Sequence, residues 1–287
     1  MSTEPLPVDP PTAHGPDDLL RRAAALLRAR PNGVLAGPTA AALWIGELSG
    51  LVADDDREGG SVLVPGLASR PLEVVVAGRG GRASPGVRVR ADRLAPDEVR
   101  EVVHEGVGRL RLTNPLRTSF DLARTLPLDE AVTVVDAIGA RHGLESGELR
   151  STAHRHPGVR GRRAVFPVAD LVDQGSTSPA RTRVRLAIRR AGIDVPLAGR
   201  AIIDEDGVIA GVLDLVWPDD GCGMQVGRTR PDAAARAGRL PELGWHIRLV
   251  PDDLSAYWLS WEARGLLAQR RGRTLPRLIT RSARRRR

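Results

Sequence analysis

Lysine is absent from all 287 residues, so every one of the 43 basic side chains is arginine. A GC-rich coding bias explains this as readily as selection for bidentate phosphate contacts, so the absence excludes little. Cysteine occurs once, at Cys222. That excludes an internal disulfide and a thiolate cluster for zinc, and points to a reducing, cytoplasmic setting. Aromatic residues make up only 3% of the chain, which leaves Leu, Val, Ile and Ala to build the core. No apolar run approaches the ~20 residues that span a bilayer, so no membrane partner is expected. Met1 to Pro16 carries proline and acid where a signal peptide would carry a basic patch and an apolar stretch.

Charge is present but unevenly placed. The net charge is +8, yet Arg264 to Arg287 holds ten arginines and no acid. Without that block the rest of the chain is slightly negative. The basic character therefore belongs to a tail, which attracts polyanions by charge alone.

Length and a hydrophobic content of 41% allow two domains with real cores. Residues 1–16 read as a disordered lead, 17–172 as a mixed helical and β domain, 173–263 as an α/β domain and 264–287 as an Arg-rich tail. The spacing predicts helices from Asp17 through Leu27, from Gly37 to about Leu48, and over 115–126, 128–142 and 146–155. Strands are expected at 62–64, 72–76 and 87–90. The Gly78-to-Arg82 stretch between the last two reads as a hairpin connection, not a phosphate loop, because no helix N-terminus or Lys-Ser/Thr follows it. Asp54-Asp55-Asp56 reads as a solvated loop. His154 and His156 lack a third ligand in sequence, which argues against a metal there.

Gly175-Ser176-Thr177-Ser178-Pro179 marks the expected boundary, with Ser178 as N-cap and Pro179 in the first helical turn. That helix shows an apolar stripe at Val184, Ala187, Ile188 and Ala191. Arg181, Arg185 and Arg189 recur every four residues as a second, basic stripe. Further strands are expected at 199–204, 208–217, 222–227 and 245–250, with helices near 231–240 and from Asp252.

Pro218-Asp219-Asp220-Gly221 is a strong turn between two apolar runs. Closed symmetrically, it sets Trp217 opposite Cys222 and Asp214 opposite Gln225. Leu213, Leu215, Trp217, Cys222, Met224 and Val226 then share a core face. The other face presents Val212, Asp214, Val216, Gly223, Gln225 and Gly227. Cys222 reads as a small core residue.

Several stretches carry a family resemblance: Leu35-Ala36-Gly37-Pro38-Thr39-Ala40-Ala41-Ala42-Leu43, Gly86-Val87-Arg88-Val89-Arg90, Thr113-Asn114-Pro115-Leu116-Arg117-Thr118-Ser119-Phe120-Asp121-Leu122-Ala123, Ser178-Pro179, Leu213-Asp214-Leu215-Val216-Trp217-Pro218 and Gly244-Trp245-His246-Ile247. In order and spacing, Val34 to Leu254 resembles actinobacterial proteins with a middle region similar to type IV abortive-infection antitoxins. These end in a domain of unknown function related to the very-short-patch-repair (Vsr) endonuclease, within the restriction-endonuclease-like, PD-(D/E)XK superfamily. The separate winged helix that often opens such proteins is not expected here.

The resemblance implies an α+β or α/β chain whose last domain is restriction-endonuclease-like with a mixed central sheet. It also implies acids converging on a divalent ion that activates water. Asp214 matches the family aspartate. The family Glu-x-Asp falls on Gln225-Val226-Gly227, the glutamate after Ser-Pro falls on Arg181, and the family histidine aligns near Pro231. One carboxylate beside an amide is a poor Mg²⁺ site, so no cofactor and no confident catalytic residue are expected. Asp214 is expected to be a relic, with Asp214→Asn nearly silent for stability. The expected role is a non-catalytic nucleic-acid-binding or regulatory protein, antitoxin-like. It would bind DNA non-specifically through Arg284, Arg285, Arg286 and Arg287 and through the Arg181/Arg185/Arg189 stripe. The alternatives are a weak Mg²⁺-dependent DNA endonuclease using Asp214 with Asp204, Glu205 or Asp206, and a protein-interaction module with a protein partner.

Overall fold

The computed structural model describes residues 16–46, 67, 70–78, 84–227, 229–270 and 279–282. The expected strand at 62–64, the Asp54-Asp55-Asp56 run and Arg284 to Arg287 lie outside the described residues. The chain divides into two compact units between Thr118 and Ser119. The fold is mixed α and β, each unit holding a mixed five-stranded sheet.

The first unit begins with α1 (Pro16–Ala29), β1 (Val34–Leu35) and α2 (Gly37–Ile45). It continues through β2 (Leu72–Val76), β3 (Val87–Ala91), β4 (Val99–His104) and β5 (Gly108–Thr113), and α3 (Pro115–Ala123) starts within it. Its sheet runs β3-β2-β1-β5-β4. β2 and β3 pair in parallel, Leu72 against Val87, which overturns the hairpin expected across Gly78 to Arg82. A hairpin reverses the chain, whereas parallel neighbours need the chain to travel back along the strand. The hairpin in this sheet is β4–β5, from Val99↔Thr113 to His104↔Gly108. At the entry to α2, Gly37 takes φ +52, and a Cβ there would lie 2.7 Å from the Glu73 carboxylate. The motif Leu35 to Leu43 thus contains a glycine that the packing requires.

The second unit continues with α4 (Leu128–His142), α5 (Ser146–Arg155), α6 (Val165–Ala169) and α7 (Pro179–Arg190). After them come β6 (Leu197–Ile203), β7 (Ile209–Trp217), β8 (Cys222–Val226), α8 (Arg230–Ala237), β9 (His246–Val250), α9 (Ala256–Ala268) and β10 (Ile279–Ser282). The sheet runs β10-β6-β7-β8-β9. β6, β7 and β8 form an antiparallel meander, and β9 returns parallel to β8 after α8.

The expected boundary at 172/173 is not where the chain divides. Leu186 of α7 shares a buried cluster with Phe120, Val135, Leu149, Val165 and Leu171, so residues 119–172 belong to the same core as the sheet's helix. Gly175-Ser176-Thr177 has a linker's composition but is a packing element. Gly175 lies so close to β6 that a Cβ would sit 1.9 Å from the Ala198 carbonyl oxygen. Gly199, at φ +54, meets Gly175 from the other side, with a Cβ 2.2 Å from its oxygen. Small residues there permit backbone contact, not flexibility. The expected tail is likewise divided: Arg264 belongs to α9, Arg270 is buried, and β10 pairs with β6 from Ile279↔Ile203 to Ser282↔Arg200.

Candidate functional site

The site is built on α7 and the β7–β8 hairpin. α7 begins as its sequence dictates: Ser178 is extended and its hydroxyl accepts from the Arg181 amide at 3.3 Å, with Pro179 in the first turn. Val184, Ala187 and Ile188 then pack with Leu215, Trp217, Cys222 and Met224 against the sheet. This geometry sends the first-turn Arg181 toward β7.

The hairpin has the expected register, Trp217↔Cys222, Val216↔Gly223 and Leu215↔Met224. Regular pairing ends there. Next along, the Val226 amide donates to Asp214 Oδ2 at 2.9 Å, so a side chain takes the place of a strand carbonyl. The face assignment is corrected at Leu213, which packs with Val216, Ala210, Leu240 and Trp245, away from Leu215 and Met224. The second face is not open either. Asp214 and Gln225 are both fully buried, because β7 and β8 are interior strands covered on both sides.

Arg181 Nη2 lies 2.6 Å from Asp214 Oδ1, and Arg236 Nη2 of α8 lies 3.5 Å from the same oxygen. A second Arg181 nitrogen donates to the Thr177 hydroxyl. Gln225 spends its amide on the Val212 carbonyl at 2.8 Å. Gly227 lies past the end of β8, exposed, with φ +65. Of the four expected positions, then, the structure brings Arg181 and Asp214 into contact, seats Gln225 on the adjoining strand and leaves Gly227 at the rim. The formal charge of the cluster is +1, one carboxylate against two guanidiniums. Arg236 was missed by sequence reasoning, because nothing in a helix of Ala and Arg signals which arginine turns inward.

Asp204, Glu205 and Asp206 sit in the β6–β7 turn. Asp214 lies five residue steps along β7 from Ile209, roughly 17 Å at the usual rise. Asp204 is engaged locally, accepting from the Val208 amide at 2.8 Å and pairing with Arg239. That amide, ahead of the arginine, holds its carboxyl below the usual range. These acids cannot join Asp214. Among the described residues no group of three His, Cys, Asp or Glu side chains is placed to hold a metal ion. His154 meets the Phe166 ring edge-on, and His156 stacks on Phe120. Cys222 is buried, and desolvation pushes its thiol up to about 12.

The basic stripe on α7 does not form one exposed face. Arg185 is buried, bonding Asp136 Oδ2 at 2.7 Å and the Leu171 carbonyl. Arg189 is exposed. Asp136 is itself buried in α4, accepting from Thr182 at 2.8 Å and from the Asp173 amide at 2.8 Å. Burial pushes its carboxyl up to about 7, against the opposing pull of Arg185 and these donors. A sequence signal for it existed: an acid set among Val132, Val135 and Ile138 on a helix's apolar side. A comparable centre in the first unit was also missed. There Arg117, almost wholly buried, bridges Glu98 at 2.7 Å and Asp92 at 2.6 Å.

Compared with known proteins, no family model matches the chain, and no curated protein and no solved structure matches it.

Proposed function

We propose that this is a non-catalytic nucleic-acid-binding or regulatory protein, antitoxin-like in role, built on a degenerate restriction-endonuclease-like fold. The mixed sheet of the second unit supports the fold reading, with Asp214 on one strand and Gln225 on the strand after it. The observation that carries the loss of catalysis is the Arg181–Asp214 pair at 2.6 Å, reinforced by Arg236. A hard divalent cation seeks several anionic oxygens. Here it would enter a cluster that is already net positive and whose one carboxylate is fully engaged.

Nucleic acid is the proposed ligand on charge grounds. With Arg181 and Arg185 committed internally, contact falls to exposed Arg189 and to Arg284, Arg285, Arg286 and Arg287. Such binding is electrostatic, indifferent to sequence and steeply weakened by salt. The test is incubation of the full chain with plasmid and oligonucleotides in Mg²⁺ or Mn²⁺, together with binding titrations at several salt concentrations. The expected result is salt-dependent binding without turnover. Turnover that disappears in Asp214→Asn would overturn the reading in favour of an endonuclease.

A further inference from the structure

Three of the chain's eight aromatic residues stand in solvent on one helix. Tyr257, Trp258 and Trp261 of α9 are 70%, 51% and 57% exposed. Their rings touch edge-on, with centroids 5.4 Å apart for Tyr257–Trp258 and 5.7 Å for Trp258–Trp261. By helical periodicity they lie opposite Leu259, Ala263, Leu266 and Leu267, the residues α9 buries. In a chain so poor in aromatics, concentrating them on the unburied side of a helix marks an interaction surface.

The charges around the patch indicate its occupant. Asp252 and Asp253 are exposed just before the Ser255 N-cap. At the other end Arg264 donates to the Ala191 carbonyl at 2.6 Å, which holds its guanidinium at the end of α7. Between them Glu262 and Arg248 neutralise each other at 3.2 Å. The surface is acidic at one end, apolar in the middle and basic at the other. A polyanion would be repelled at the acidic end. The surface that matches it throughout is itself, turned end for end.

We propose that the aromatic face of α9 is where two copies of this chain pair about a two-fold axis, α9 antiparallel to α9. Covering the rings would remove roughly 270–450 Å² per copy, taking about 150–250 Å² for each whole aromatic side chain. Doubled, this is roughly 540–900 Å², to which the charged ends add, the size of a weak, reversible interface.

Sedimentation of the full chain across the micromolar range tests this. The wild type is expected to shift reversibly from monomer to dimer. Trp258→Ser with Trp261→Ser should weaken association by about 30-fold or more, the loss typical of a central aromatic anchor. Should that variant misfold by circular dichroism, charge reversal decides. Asp252→Arg with Asp253→Arg, and separately Arg264→Glu, should each be monomeric alone and form a heterodimer when mixed. A wild type that stays monomeric overturns the proposal, as does a dimer that survives loss of both tryptophans or a mixture that fails to pair. A monomer whose tryptophan emission shifts on adding single-stranded oligonucleotide would overturn it in favour of a base-stacking surface.

Discussion

Arg181 and Asp214 meet at 2.6 Å across the face of the sheet, and the carboxylate retains no solvent exposure. The pair couples the first turn of α7 to an interior strand. Losing Arg181 leaves the buried carboxylate only the longer contact with Arg236, and losing Asp214 leaves Arg181 without its carboxylate.

Asp214→Asn is therefore expected to cost roughly 2–4 kcal/mol, somewhat under the usual range for breaking a buried pair because Arg181 keeps slight solvent access. This replaces the near-silent substitution expected from sequence. Arg181→Ala should be milder than Arg181→Glu, which sets a second carboxylate against the first. Urea unfolding of the three variants checks the order.

Asp136 gives a pH dependence of definite sign. Its carboxyl is raised to about 7 from 3.8, so over that interval the folded state holds a proton that the unfolded state has released. Its contribution to stability is fully present below the unfolded value and is lost as pH rises toward about 7. Asp136→Asn should flatten this part of the stability profile, measured by denaturant midpoints at a series of pH values. A profile unchanged by the substitution would show that Asp136 is ionised throughout.

Two glycines should be intolerant where composition suggests a linker. Gly175→Ala would drive a Cβ to 1.9 Å from the Ala198 oxygen, and Gly199→Ala adds a positive φ to a 2.2 Å clash. Each is expected to destabilise the second unit by more than about 3 kcal/mol, in the range of severe packing defects. Gly192→Ala, with φ +69 but open space around it, should cost only about 1 kcal/mol. Thermal melts of the three separate crowding from backbone strain.

Removing residues 283–287 after β10 should lower DNA affinity for all sequences alike. The slope of log affinity against log salt should fall by about 0.9 for each phosphate that is no longer neutralised. Fluorescence anisotropy at several salt concentrations measures both.

Much of the second unit was legible because its sequence is locally consistent. The Ser178-Pro179 helix start, the turn at Pro218 to Gly221 and the register through Trp217↔Cys222 follow from capping and alternation. What escaped was decided by neighbours distant in sequence. Alternation fails between Leu213 and Leu215, at Asp214, where the β7–β8 pairing also stops. Spacing put Arg181, Arg185 and Arg189 on one stripe, but which arginines turn inward depended on Asp214 and Asp136. Gly175 carried the composition of a loop and the packing of a core. The parallel return of β3 beside β2 was hidden because strand direction leaves no mark on a five-residue run.

β10 caps the outer side of β6, and the arginine-rich end of the chain leaves directly from that cap. The strand that protects the edge, Ile279 to Ser282, is therefore continuous in sequence with Arg284 to Arg287. A cut before Ile279 would remove both together, exposing the unpaired amides and carbonyls of β6 next to the partly exposed Leu197. Such a trimmed chain would lose five arginines and gain a strand edge open to pairing with others of its kind.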